Sequence, residues 1–341
     1  MSTHKDITIY DIAEALNLSP ATVSRGLKEH PAIRKDTRKR ILEKAKEMGY
    51  RQNFFASNLR RNRTNTIGVI VPRLNSYFMS SVLAGMEKVA NHAGYNLVIS
   101  QSMESIAKEV ANVKTLYNSR VDGLLVSLAY ETDDLSHFES LIEKGIPLIF
   151  FDRVFDHPQC TSIVIDNVKA GYEMTQHLIK QGCTRIAHVT ASLKRNVYAD
   201  RLKGFKQALN DNGLSFDDSL LFENNLSEHA GVEVSKALLS MDPRPDGVFT
   251  SNDACAVSMI RELKQAGLRI PRDIAVAGFN NDPLSKVIEP NLTTINYAGY
   301  EMGEVAASTL IRRLDQQNGA SLNAIVLRHE LIVRESTQRK S

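Results

Sequence analysis

Apolar residues recur along this chain with two different rhythms, and the change of rhythm divides it. Over residues 8–50 the spacing is helical. Ile9, Ile12, Ala13 and Leu16 share one helix face, and so do Ile41, Leu42, Ala45 and Met48. Start and stop signals lie between them. Thr8 with Asp11 forms a capping pattern, Asn17 stands where a left-handed residue closes a helix, and Ser19 precedes Pro20 as an N-cap precedes a first helical residue. The pattern predicts a helix to Leu16, a short turn, a second helix from Pro20, and a third over "DTRKRILEKAKEMGY" closed by Gly49. Two short helices joined in this way are a helix-turn-helix.

From residue 66 onward, short Val/Ile-rich runs alternate with amphipathic stretches, which predicts parallel strands covered by helices on both faces. The alternation is used twice. "TIGVIVP" (66–72) matches "TRIAHVTA" (184–191), and "LAGMEKVANHAGY" (83–95) matches "RLKGFKQALNDNGL" (201–214). "RVDGLLVS" (120–127) matches "RPDGVFTS" (244–251), and "IPLIFFDR" (146–153) matches "IAVAGFNND" (274–282). Two such units side by side make a cleft. In open α/β sheets, ligands bind beyond the carboxyl ends of the strands. That rule selects Ser76, Tyr77 and Phe78 after the first strand, with Arg195 in the matching loop of the second unit. It also selects Asp152 and Arg153, opposite Asn280 and Asp282, and Asn252 with Asp253 after "GVFTS". A set of carboxylates, amides, guanidinium groups and rings suits a polyol such as a sugar. The rival readings are a salt-bridged strand end for Asp152–Arg153 and core packing for Tyr77 and Phe78.

Charge sharpens the division. Residues 1–66 hold 14 Lys or Arg against 7 Asp or Glu, an excess of seven positive charges; the rest hold 28 against 32, an excess of four negative ones. A basic head on an acidic body suits a polyanion, with a solvated surface as the plain alternative. No apolar run is long enough to span a membrane, and "MSTHKDITIYDI" lacks a secretory pattern. Cys160, Cys183 and Cys255 are odd in number and scattered, against a disulfide framework or a metal site. A cytoplasmic protein without metal or cofactor is expected. No GxSxG, HExxH, strand-linked GxGxxG or P-loop occurs, so no enzyme is expected. His188 within a strand reads as a packed residue, and Asp133–Asp134 and Asp217–Asp218 read as solvated turns.

"TIYDIA", "LSPATVSRGL", "TRKRILEKAKEMGY" and "TNTIGVIVP" resemble, in order and spacing, the N-terminal pattern of the LacI/GalR (lac repressor-like) family of bacterial transcription regulators. The resemblance continues through "RVDGLLVS", "FFDR", "TSNDA", "GFNND" and "LTTI", and so covers essentially the whole chain. It implies an α/β chain: a two-lobed effector domain like the type I periplasmic binding proteins, with doubly wound parallel sheets, preceded by an all-α helix-turn-helix DNA-binding domain. The expected bounds are 1–50 for that head and 51–65 for a hinge helix and linker. The N-terminal lobe takes 66–163 and 294–322, and the C-terminal lobe 164–293 and 323–338.

Pro20, Ala21 and Arg25 fall at the family's base-reading positions. The first two can touch a thymine methyl, while Arg25 can grip a guanine through O6 and N7. Thr22, Ser24 and Tyr10 are cast as phosphate contacts, and Thr8 and Ser19 join them among the DNA-binding candidates. Gly26 weakens the recognition helix, and Arg34 stands where many relatives carry a capping Ser. In "YRQNFFASNLRR", Asn53, Ala56 and Leu59 match the hinge helix, with Leu59 as an apolar wedge between base steps. Phe55 matches a hinge-to-hinge contact, and Gln52 replaces a common Pro. In the effector domain the resemblance implies that Tyr77 and Phe78 line the pocket, that Arg195 and Arg201 bind polar groups, and that Asn252 and Asn280 stand nearby. Relatives usually carry Asp at the position of Asn280.

The expected protein is a ligand-responsive repressor that binds palindromic operator DNA as a homodimer and senses a sugar or sugar phosphate. With no heptad repeat after "LRHELIVRES", a dimer is expected rather than a tail-built tetramer. The rival is a small-molecule sensory module whose basic head contacts a protein.

Overall fold

The computed structural model describes residues 7–50, 63–315 and 324–339. The hinge positions Asn53, Ala56 and Leu59, with Gln52, Phe54 and Phe55, lie outside them. The chain divides into two compact units between Thr64 and Asn65.

In the first unit, α1 (Ile9–Leu16), α2 (Pro20–Leu27) and α3 (Lys35–Glu47) follow the predicted order. The caps are those the sequence signals. Asp11 Oδ2 accepts from the Thr8 amide at 2.7 Å and from its hydroxyl at 2.6 Å. Asn17 turns left-handed at φ 52°, and Ser19 Oγ accepts from Thr22 N at 3.1 Å. Arg34 begins α3 without a side-chain cap. Ile12, Ala13, Val23, Ile41 and Ala45 form the small core. Leu42, expected on the inward face, is exposed instead. Gly26 has a packing reason: a Cβ there would stand 2.4 Å from Ile41 Cδ1, so a side chain on α2 would displace the end of Ile41 on α3.

In the second unit, β1 (Thr66–Val71), α4 (Tyr77–His92), β2 (Asn96–Gln101), α5 (Ile106–Asn118), β3 (Gly123–Val126), α6 (Glu139–Glu143), β4 (Leu148–Phe151) and β5 (Thr161–Ile165) come first. Next are α7 (Asn167–Lys180), β6 (Ile186–Thr190), α8 (Asn196–Asp211), β7 (Leu221–Glu223), α9 (Glu228–Ser240), β8 (Gly247–Thr250), α10 (Asp253–Gln265), β9 (Ala275–Ala277) and α11 (Leu284–Val287). The unit closes with β10 (Thr294–Asn296), α12 (Gly299–Asp315), β11 (Ala324–Leu327) and β12 (Glu330–Ile332).

One sheet has the order β2–β1–β3–β4–β5–β11 and the other β7–β6–β8–β9, all parallel. Reading β6 for β1 and continuing, the two orders coincide, so the duplication in the sequence is a duplication of fold. One expected boundary is corrected. Residues 323–338 are expected from the sequence in the C-terminal lobe, but Ala324–Leu327 extends the N-terminal sheet, with Val326 beside Val164. The added strand satisfies backbone groups that β5 would otherwise present as an open edge. The chain passes between lobes at Ile165–Asn167, near Thr293–Ile295, and before Ser336, whose hydroxyl reaches the Val276 carbonyl at 2.6 Å.

Each lobe contains a pair of helices packed backbone against backbone through glycines. In the N-terminal lobe, α4 meets α12: a Cβ on Gly85 would lie 2.1 Å from Tyr300 O, and one on Gly303 would lie 2.0 Å from Val82 O. In the C-terminal lobe, α7 meets α8: a Cβ on Gly171 would lie 2.3 Å from Arg201 O, and one on Gly204 would lie 1.9 Å from Val168 O. These obstacles are backbone and cannot rotate away. Gly204→Ala is expected to lower the unfolding free energy by about 1–3 kcal/mol, the usual range for overpacking, as a lower urea midpoint at unchanged slope.

Candidate functional site

The first unit carries the candidate DNA-binding residues. Ala21 and Arg25 are exposed on one side of α2, and Pro20 at its start is half-buried. Arg25 Nε lies 3.4 Å from Ala21 O, one turn back. Tyr10 is 67% exposed, far from a core position for an aromatic. Thr22 Oγ1 shares a 2.8 Å hydrogen bond with Ser19 Oγ, and Ser24 is half-buried.

In the second unit, the strand ends bring Asp152, Arg153, Arg195 and Arg201 together where the lobes meet, all of them buried. Asp152 stands just after β4 at φ 59°. Its Oδ1 accepts from the Tyr297 hydroxyl at 2.9 Å and its Oδ2 from Ser127 Oγ at 3.3 Å. Arg153 does form a salt bridge, though with Glu104 (2.8 Å) and not with its neighbour Asp152. The Arg153 guanidinium lies 4.3 Å from the Tyr130 ring centre and donates to the Tyr198 hydroxyl at 3.1 Å. Burial opposes its charge, yet Tyr198, Tyr130, Glu104 and Asp152 outweigh that and hold its pKa above the ordinary arginine value.

Across the junction, Arg195 opens α8 and donates from Nη2 to the Thr132 carbonyl. Arg201, one and a half turns further along, donates to Asn167 Oδ1 at 2.9 Å and to the Ser251 carbonyl at 3.1 Å, with its guanidinium 3.5 Å from the Phe279 ring centre. Burial lowers the pKa of both arginines. Further links close the lobes: Tyr130 to Tyr198 (3.2 Å between hydroxyls), Lys194 to Asp133 (3.0 Å), and Asn196 to both Asp152 O (3.2 Å) and Val154 N (3.0 Å).

The remaining candidates separate by role. Phe78 is buried and stacks on Tyr297 with centroids 4.3 Å apart, whereas Tyr77 is 55% exposed. Ser76 caps α4, and Asn252 caps α10 by accepting from Cys255 N at 2.9 Å. Asp253 is fully buried and acts as a strut. It accepts from Thr294 Oγ1 and from Asp282 N, both at 2.7 Å, so it binds β8 to the inter-lobe strand β10. Burial raises its pKa well above the ordinary value. Asn280 is half-buried at φ 108° and its backbone N–H donates to Ile295 O at 2.9 Å. His188 packs between Phe205 and Phe249, and burial lowers its pKa to about 3, so it is a neutral core residue. The three cysteines are free and buried.

Residues 8–53 match the family model for bacterial regulatory proteins of the lacI family, and residues 175–337 match that for a periplasmic binding protein-like domain. The chain is 31% identical to catabolite control protein A of Priestia megaterium, over 98% of this chain and 100% of that one. It is 32% identical to the HTH-type transcriptional regulator RegA of Clostridium saccharobutylicum, over 97% and 99%. The chain belongs to the lacI family of bacterial regulatory proteins. The lac repressor dimer bound to operator and the anti-inducer ONPF superposes with a TM-score of 0.87 at 25% identity, covering 98% of this chain and 99% of that one. The transcriptional regulator CelR in complex with cellobiose gives 0.74 at 27%, covering 97% and 99%. This LacI-family member is a DNA-binding transcription regulator and not an enzyme. Among the described residues no helix is long and apolar enough to cross a membrane.

Sequence reasoning missed several residues of this regulator's cleft. Tyr130, Tyr198, Tyr297, Phe279 and Glu104 contact the selected arginines or Asp152. Tyr297 follows β10, Phe279 follows β9 and Glu104 follows β2, so the same strand-end rule reaches them when applied to every strand. Tyr198 carried a different signal, one helical turn beyond Arg195.

Asp282 supplies a pH test. Its Oδ1 is buried without a partner, and burial raises its pKa to about 6. A raised carboxyl pKa favours the protonated fold, so its contribution is complete below the ordinary Asp value and is lost as pH rises towards 6. The stability of the wild type relative to Asp282→Asn should therefore fall by about 3 kcal/mol between about pH 4 and pH 6, measured by urea unfolding. A flat difference would contradict the burial assigned to this carboxyl.

Proposed function

We propose that this protein is a dimeric, cytoplasmic repressor that binds a two-fold operator and changes its operator affinity when a small molecule, of the polyol class, occupies the cleft between the lobes. One observation carries the sensing half of this reading. Buried polar side chains from both lobes converge on one junction: Asp152 and Arg153 from the first, Arg195 and Arg201 from the second. A ligand touching both lobes binds one inter-lobe angle better than another, and that difference is what shifts an equilibrium. The DNA half rests on α2, whose exposed Arg25 and Ala21 match the family's base-reading positions by resemblance, and on the basic excess of residues 1–66. Two-fold operators follow from two-fold dimers.

Selection of preferred DNA from a random pool, repeated with a panel of sugars, tests both halves. Sequence-selective binding should appear, weaken steeply with salt, and respond to at least one sugar. Loss of selectivity in the absence of any ligand response would remove the reading altogether.

Two substitutions probe the residues. Arg25→Ala is expected to relax specificity at one base pair in each half-site by about 1–3 kcal/mol, read by competition between operator variants; equal losses on every sequence would contradict base contact. Leu59→Ala is expected to weaken operator binding much more than non-specific binding, as suits an apolar wedge.

A further inference from the structure

Three arginines are buried where the lobes meet, and among the described residues only Arg153 is ion-paired with a carboxylate. Arg153 pairs with Glu104 at 2.8 Å. Arg201 is held by the side-chain amide oxygen of Asn167 and the carbonyl of Ser251, and Arg195 by the carbonyl of Thr132. Among the described residues neither Arg195 nor Arg201 makes an ion pair. A buried charge without a counter-charge is costly, and neutral acceptors satisfy hydrogen bonds without cancelling it.

The shortfall has a location. The Nε–H groups of Arg195 and Arg153 are both buried and both lack an acceptor. Burial first, and then the charge of Arg153, lowers the Arg195 pKa, while the more distant carboxylates of Glu109, Asp133 and Glu104 raise it without forming an ion pair. Arg195 is also the N-cap of α8, a helix of 16 residues whose N-cap side chain accepts no hydrogen bond and whose first turn has no acidic residue. The positive end of a helix dipole therefore adds to the charge of Arg195, which has no ion pair among the described residues, beside the unpartnered Nε–H of Arg153.

We propose that the effector carries an oxyanion, phosphate or carboxylate, which docks between Arg195 and Arg153 at the start of α8. The proposal rests on the reading of the cleft as the effector site. A guanidinium offers Nε–H and an Nη–H side by side, a fork that matches two oxygens of either group. Both sources share that chemistry: a phosphorylated sugar or a sugar acid. A neutral polyol would satisfy the two free donors and leave Arg195 without an ion pair.

The test uses the full chain and inorganic phosphate as the first probe. Phosphate titrated against chloride at constant ionic strength should raise the melting temperature saturably. Phosphate bound to the basic head would survive a substitution in the cleft, so the quantity read is the difference between wild type and Arg195→Gln, in which the saturable rise should vanish. Arg195→Lys keeps the charge and loses the fork, and its midpoint should move to about ten- to a hundredfold higher phosphate, the worth of one charge-assisted hydrogen bond. It also serves if Arg195→Gln does not fold. Arms with glucose 6-phosphate, gluconate and glucose separate the sources: one of the anions should stabilise the protein through Arg195 beyond phosphate alone, and glucose should not. Identical curves in phosphate and chloride, or an unchanged response in both variants, would overturn the proposal. Stabilisation by glucose without any by the anions would overturn it too, while leaving the effector-cleft reading intact; failure of that reading would show separately, as operator binding indifferent to every ligand.

Discussion

The cleft depends on Arg201. A guanidinium taken out of water must be met on every side, and the groups that meet it come from separate parts of the C-terminal lobe and from the inter-lobe crossing. Asn167 begins α7, Ser251 follows β8, Phe279 follows β9, and Tyr297 follows β10. Those are strand ends and a helix start, the places where a doubly wound sheet leaves its backbone open. One buried cation thus fixes the relative positions of several loops that would otherwise be set independently. Tyr297 carries the link into the N-terminal lobe through Asp152, and Phe78 packs against its ring. The same chain of contacts explains why Asp152 tolerates a left-handed backbone: its carboxylate is anchored on both oxygens.

Asp253 plays the corresponding part at the hinge. It is buried at the start of α10 and takes hydrogen bonds from the strand that returns to the first lobe and from the loop after β9. Arg334 completes the arrangement by reaching the Leu292 carbonyl at 2.7 Å and Asn281 Oδ1 at 2.7 Å. The residues that shape the cleft floor and those that shape the crossing strands are joined by hydrogen bonds, so a change at one is felt as geometry at the other.

Much of this was legible in the sequence because the relevant signals are local. Ser19–Pro20, Thr8–Asp11 and Asn17 fixed the helix-turn-helix through capping chemistry that acts within a few residues, and the structure has those caps. The duplicated strand motifs gave the two sheets and their matching order. The failures are long-range. Nothing near Ala324 reveals that it will lie beside Ser162, and nothing near Glu104 reveals that Arg153 will be its partner. Asp253 illustrates a subtler limit. Strand-end logic brought it to attention as a ligand contact, yet its carboxylate is spent on Thr294 and Asp282, a fact that depends on how two distant segments cross. Leu42 differs for a related reason: in so small a helical unit, an apolar periodicity can be wider than the face available to bury it.

The paired glycines have a mechanical meaning. Where α4 meets α12 and α7 meets α8, peptide groups touch peptide groups, and no layer of side chains lies between them to shear or repack. Each lobe therefore has a stiff spine. Strain introduced at the cleft finds little compliance inside either lobe and must be relieved at the strands that cross between them. In engineering terms the second unit is two rigid plates on a short flexure, and a small ligand gains leverage because the plates do not bend.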